Sequence, residues 1–261
     1  MNEKNVGYLK DQLKYTGFGE GLENVLIENI QKENPEFKLD HEAKYGTDTV
    51  LTSLNFKKSE QSDMYFFNSY NMKIQKEGQS EELSQTFYIN RDNNITAKEA
   101  YNLMEGRAVN KDLKNKEGEV YNAWIKIDFK VADDEKGNFK LNHYHQNYGY
   151  DLEASLSKHS IKELETPKYK EDLINSLKKG NIQSVTFVIG GEERKQFVEA
   201  NPHFKTVNVY DNSMQRINDQ KKKQSESKVE GKDVKQNQDA DAESGPGPQK
   251  NTKKKKQGNS I

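Results

Sequence analysis

The sequence predicts an α+β fold: helices packed on antiparallel β-meanders, in three helix-plus-three-strand units, with a disordered C-terminal tail. Three observations predict it. Apolar and polar residues alternate over many stretches, the period of a strand with one covered face. Short stretches with helical spacing and helix stop signals stand ahead of these strands. The order helix, then three strands, recurs with helix starts near Glu20, Thr96 and Pro167.

Val6, Leu9 and Leu13 share one helix face, and Gly17 ends that helix. Leu22, Val25, Leu26 and Ile30 mark a second helix, which must stop before Pro35. Phe37, Leu39, His41, Ala43 and Tyr45 then alternate with Lys38, Asp40, Glu42 and Lys44 as a strand. After the turn Gly46-Thr47-Asp48, Val50, Leu54 and Phe56 line a second strand. A turn from Ser59 to Asp63 leads to a third, with Met64, Phe66, Tyr70, Met72 and Ile74 on one face. A polar turn, Gly78 to Glu82, leads to a fourth near Leu83 to Asn90.

Thr96-Ala97-Lys98-Glu99 is a capping box, because the Thr96 hydroxyl can accept from the Glu99 amide while the Glu99 carboxylate reaches back. Its helix ends at Gly106. Strands follow near Ala108 to Leu113, Tyr121 to Val131 and Asn138 to His145, with turns at Asn115 to Gly118 and Asp133 to Gly137. Asp151 caps a short helix through Leu156, and Pro167 opens a longer one closed by Gly180. The last strands are Ile182 to Ile189, Arg194 to Ala200 and Thr206 to Tyr210, the first two joined by Gly190-Gly191. The domain organisation expected is 1–82, a helical pair plus meander; 83–217, two helix-plus-meander units; and 218–261, a basic tail.

Hydrophobic residues are only 31% of the 261. Part of the deficit lies in residues 218–261, which hold no aromatic residue and cannot bury enough surface to offset ordering entropy. Of the 41 basic residues, 11 lie there against 7 acidic ones, which leaves 30 basic and 35 acidic residues in 1–217. An acidic body with a basic tail is the main charge asymmetry.

The chain has no Cys, which excludes disulfides, thiolate zinc sites and a cysteine nucleophile. No stretch reaches the roughly 20 apolar residues of a membrane span, and the polar start Met1-Asn2-Glu3-Lys4-Asn5 lacks a signal-peptide core. A cytoplasmic location without membrane contact is the expectation. Gly17-Phe18-Gly19-Glu20-Gly21 has neither the preceding strand nor the spacing of a dinucleotide loop, and reads as a connector. No P-loop and no Gly-x-Ser-x-Gly elbow occurs.

Two features invite chemistry. His143 and His145 stand at i and i+2 of a strand and point the same way; with Asp128 or Asp151 they would make part of a metal site. Two imidazoles fall short of the three or four ligands such a site needs, and no metal or cofactor is assigned. Trp124 lies across its strand from Ile125, Ile127 and Phe129, near Lys126 and the polar-aromatic run His143, Tyr144, His145, Tyr148, Tyr150. Exposed, these rings can stack unpaired bases or meet a protein; buried, they form a second packed layer under a helix. Arg107 can hold an anion or pair with a helix end, Glu105 being its near neighbour. Lys253, Lys254, Lys255 and Lys256 can contact phosphates without reading sequence.

Leu103-x-x-Gly106-Arg107-Ala108-Val109, Lys116-Glu117-Gly118, Tyr121-x-Ala123-Trp124-x-x-x-Asp128-Phe129, Tyr148-Gly149-Tyr150-Asp151-Leu152 and Phe197-Val198-Glu199-Ala200-Asn201-Pro202 carry a resemblance. They resemble a domain of unknown function found in conjugative and other mobile elements of Bacteroidota, over about 83–217. The resemblance implies a cytoplasmic accessory protein near DNA processing or transfer, and transfers no catalytic residue. The function expected is therefore non-enzymatic binding of DNA or of a DNA-processing protein. The rivals are an enzyme centred on His143, His145, Trp124 and Arg107, and an inhibitory or structural protein-binding module. The sequence does not define an oligomeric state.

Overall fold

The computed structural model describes residues 1–76, 83–90, 93–132, 135 and 137–217. The turn from Gly78 to Glu82, part of that from Asp133 to Gly137, and the tail 218–261 with Lys253 to Lys256 lie outside the described residues. Helix α1 (Glu3–Thr16) starts under an Asn2 side-chain cap and stops at Gly17, whose φ of 97° is left-handed. It buries Val6, Leu9 and Leu13. In α2 (Glu23–Gln31) Leu26 and Ile30 are covered, while Val25 is exposed.

Strands β1 (Glu36–Tyr45), β2 (Asp48–Lys58), β3 (Tyr65–Gln75) and β4 (Leu83–Tyr88) form one antiparallel sheet in chain order. β1 and β2 bury the faces expected of them. β3 corrects its expected pattern. Tyr65 and Phe67 are buried at its start, and Met64 and Phe66 are exposed. Phe56 pairs with Phe67 and Asn55 with Ser69, so Asn68 is an extra residue opposite no partner. This bulge reverses the alternation, and beyond it Tyr70, Met72 and Ile74 take the covered side.

The Thr96–Glu99 capping box is present in both directions and opens α3 (Ala97–Met104). β5 (Val109–Lys114), β6 (Val120–Ala132) and β7 (Phe139–His145) make a second antiparallel sheet. After α4 (Leu152–Leu156) and α5 (Pro167–Lys178) come β8 (Gln183–Ile189), β9 (Glu192–Asn201) and β10 (Thr206–Tyr210), a third. Gly190 and Gly191 both have positive φ, 60° and 84°, as a tight two-residue hairpin requires. The fold is thus α+β, with every sheet a sequential meander.

The sheets do not stand apart. The Gln85 side chain accepts from Phe139 N–H at 2.8 Å and donates to its carbonyl at 3.2 Å, and Asn138 accepts from Thr86 N–H at 2.7 Å. An amide side chain thereby imitates backbone and joins β4 to β7. Met1–Asn218 form a single compact unit, and β4 belongs with β1–β3. One core gathers α1, α2, α3, the first sheet and Val109, Ile125 and Ile127. A second gathers Ala108, Trp124, Leu156, Leu173, Leu177, Val185, Phe187 and Val198. Successive residues of β6 point to opposite sides, so the middle sheet supplies both cores.

His41 sits on the covered side of β1 with its ring edge-on to Phe18, centroids 5.4 Å apart. Burial lowers its pKa. The unfolded chain then binds the proton more readily than the folded one as pH falls below the ordinary histidine value of about 6.5. Folding stability is accordingly lost on acidification from that pH downward. Replacing His41→Phe should flatten this part of the profile in urea unfolding at pH 7 and pH 5.5.

Candidate binding surface

β7 turns at Gln146–Tyr148 toward α4, and the aromatic run spans the end of β7 and this connection. Its side chains meet a second tight turn, Pro202–Phe204, after β9. Tyr144 Oη lies 3.0 Å from His203 Nδ1, and Tyr148 Oη donates to the His203 carbonyl at 2.7 Å. The Tyr144 and Tyr148 rings are 4.9 Å apart, and His203 stands edge-on to Phe204 at 4.5 Å. Lys205 Nζ lies 4.6 Å over the Tyr148 ring. Tyr144, Tyr148, His203, Phe204 and Lys205 therefore form one polar-aromatic platform. Phe204 is its most prominent member, 67% exposed.

The turn under Phe204 is held from below. Asn201 Oδ1 accepts from Phe204 N–H at 3.4 Å, and Lys205 adopts a left-handed φ of 53° that closes the turn. Asn201 is itself buried and donates to Asn208 at 2.8 Å. Asn208 and Tyr210 both donate to the buried carboxylate of Glu199. Burial first, then the Glu199 charge, pushes the Tyr210 hydroxyl up to about 12.

The residues expected to bind divide into separate places. Trp124 is 6% exposed and belongs to the second core, edge-on to Tyr150 at 5.3 Å. The packed-layer alternative for Trp124 is the one realised, and a surface stacking role is corrected. The reason is that α4 and the third sheet cover the face opposite Ile125. Tyr150 donates to the Thr206 carbonyl at 3.0 Å, and burial raises its pKa. Lys126 is half-buried, and burial lowers its pKa while the nearby Glu199 opposes that shift.

His143 and His145 do share one face, with ring centroids 6.3 Å apart and His145 tilted on Tyr121. Burial, then the charge of His145, lowers the pKa of His143. Asp128 does not join them: it accepts from Asn142 at 3.2 Å, on the opposite face of the sheet. Asp151 is spent on capping α4. Among the described residues no three His, Asp or Glu side chains come together as metal ligands. Arg107 leaves Glu105 to Lys76 and folds back on Asn102 at 2.7 Å. The constellation of His143, His145, Trp124 and Arg107 thus falls on different faces, and no reacting group could touch all four.

Beside the platform, Asn110, Asp112, Asn122, Trp124, Gln146 and Lys178 help line an open cleft of about 520 Å³. Its carboxamides largely satisfy one another: Asn110 and Asn122 exchange hydrogen bonds, and Asn122 also donates to Asp112. Sequence reading missed His203, Phe204 and Lys205. The available signal was Asn201-Pro202, a turn-initiating pair that leaves the next ring outside the strand. No family model, curated protein or solved structure matches the chain.

Proposed function

We propose that the chain is a non-catalytic binding module whose partner is a protein that closes over Tyr144, Tyr148, His203 and Phe204. The observation that carries this reading is Phe204, a large apolar ring left in water on a turn that is fixed in place. Covering such a ring contributes about 1.5–3 kcal/mol, and a preformed anchor loses little entropy on binding. Rigid aromatic rings with polar edges are the groups that dominate protein interfaces. The surplus of five acidic residues in 1–217 favours a protein over a polyanion.

The second reading is an unpaired nucleic-acid strand, favoured by Lys205 over the Tyr148 ring. It accords with an accessory role in a mobile element, which rests on the sequence resemblance alone. Two measurements separate the readings. Affinity capture with the full chain should recover one stoichiometric protein, lost with Phe204→Ala and weakened at least tenfold with Tyr148→Ala, both folded as wild type by circular dichroism. Fluorescence polarisation with single-stranded DNA should give no salt-sensitive binding that depends on Phe204 or Tyr148. Salt-sensitive DNA binding abolished by the same two substitutions would replace the protein reading.

A further inference from the structure

Lys98 and Arg107 are two cations on one aromatic pair. The Tyr45 and Tyr101 rings stack at 4.4 Å, with their planes 15° apart. Lys98 Nζ lies 4.5 Å from the Tyr45 centroid and 4.8 Å from that of Tyr101. The Arg107 guanidinium carbon is 5.3 Å from the same Tyr101 centroid. Two positive groups are thus gathered at one ring, an arrangement that raises their mutual repulsion.

The neighbouring carboxylates do not relieve it. Glu105 pairs with Lys76 at 2.9 Å. Glu99 pairs with Lys111 at 2.7 Å and closes the helix cap by accepting from Thr96 N–H at 2.9 Å. Asp48 accepts the Tyr101 hydroxyl at 2.9 Å. Among the described residues, neither Lys98 nor Arg107 forms an ion pair. Burial lowers the pKa of Lys98, and the Arg107 charge lowers it further.

Arg107 is oriented from behind. Asn102, 1% exposed, donates through Nδ2 to the Lys179 carbonyl at 2.6 Å and to Asn181 Oδ1 at 3.0 Å. Its Oδ1 is thereby fixed toward Arg107 Nη2. Arg107 Nε is buried without a hydrogen-bond partner. A guanidinium held by a neutral amide keeps its full charge, whereas one held by a carboxylate is neutralised. With Nε buried and Nη2 already donating to Asn102, the donors left to an oxyanion are the remaining Nη hydrogens, and the Lys98 ammonium at the same ring pair supplies a second, less directional contact.

We propose that Lys98 and Arg107 form a binding site for a phosphate-class oxyanion, lying against Tyr45 and Tyr101 and positioned by Asn102. The site is independent of the Phe204 platform. It recognises the phosphate group itself, whether free, on a nucleotide or in a nucleic-acid backbone.

The test uses the full chain at constant ionic strength, with sodium chloride replaced stepwise by inorganic phosphate. The side-chain Nε resonance of Arg107 is followed by NMR and the unfolding temperature by calorimetry. Phosphate should shift the Arg107 signal saturably and raise the unfolding temperature. Lys98→Gln and Arg107→Gln should each weaken binding at least tenfold. Lys98→Gln, at an exposed position, keeps the test sound if Arg107→Gln disturbs the fold. Parallel titrations use adenosine monophosphate and a short single-stranded oligonucleotide. Comparable affinity for phosphate and mononucleotide supports a terminal phosphate as ligand; tighter, salt-sensitive binding of the oligonucleotide supports a backbone phosphate. No saturable response to any of the three, or binding that both substitutions leave unchanged, would overturn the site. Partner capture through Phe204 reads out the other surface separately.

Discussion

Replacing Gly180→Ala should lower the unfolding free energy by about 2–5 kcal/mol, read as a lower urea midpoint with an unchanged slope. Gly180 closes α5 with φ at 80°. A side chain there bears the left-handed cost of about 1–2 kcal/mol. A Cβ would also stand 3.0 Å from Asn102 Cβ, 3.0 Å from Val109 Cγ2 and 3.1 Å from the Ala108 carbonyl. None of these is the free end of a flexible side chain. Asn102 belongs to α3, and Ala108 and Val109 lie at the start of β5, so the clash falls where the two cores meet. Overpacking of that kind costs about 1–3 kcal/mol more. Gly191→Ala is the internal control. Its φ is 84° but nothing lies within 4 Å of the added carbon, so only the backbone cost should appear. Equal losses for the two variants would contradict the close packing at the seam.

Trp124→Ala should cost about 3–5 kcal/mol, the range for removing a large aromatic side chain from a core. The cavity would open between Tyr150, Ala108 and the third sheet, in the second core alone. Trp124→Phe should recover most of the loss, because a packed layer needs volume more than an indole. The chain has one Trp, so in the wild-type protein its fluorescence reports this core directly. The result bears on function as well. If Trp124 were a surface platform, Trp124→Ala would leave the unfolding midpoint within about 0.5 kcal/mol of wild type and change binding only.

The Gly180 and Trp124 predictions draw on different layers of information. Gly180 was legible as a helix stop, because a glycine after Leu177-Lys178-Lys179 is the usual way for a helix to end. Its crowding was not, since Asn102 and Val109 are more than seventy residues away in the chain. Trp124 was legible as facing away from Ile125. That both sides of the sheet are covered was not, because alternation distinguishes two faces and leaves open what covers each. The bulge at Asn68 shows the same limit. Met64 and Phe66 keep phase with Tyr70 in the sequence, and only pairing with β2 reveals that one residue is skipped. The candidate surface was half legible. Tyr144 and Tyr148 stand out in a run without acidic residues, but their partners His203 and Lys205 lie more than fifty positions later.

Local chemistry thus sufficed for the helices, strands and turns, since capping boxes, left-handed glycines and alternation act over a few residues. It also sufficed for the α+β class and the meander order, because short polar turns leave consecutive strands no choice but to pair. Which faces became cores, which rings stayed in water and which cations went without a carboxylate depended on segments distant in sequence. Those outcomes are set by packing between elements, where a side chain's neighbours come from the fold and its own position in the chain carries no trace of them.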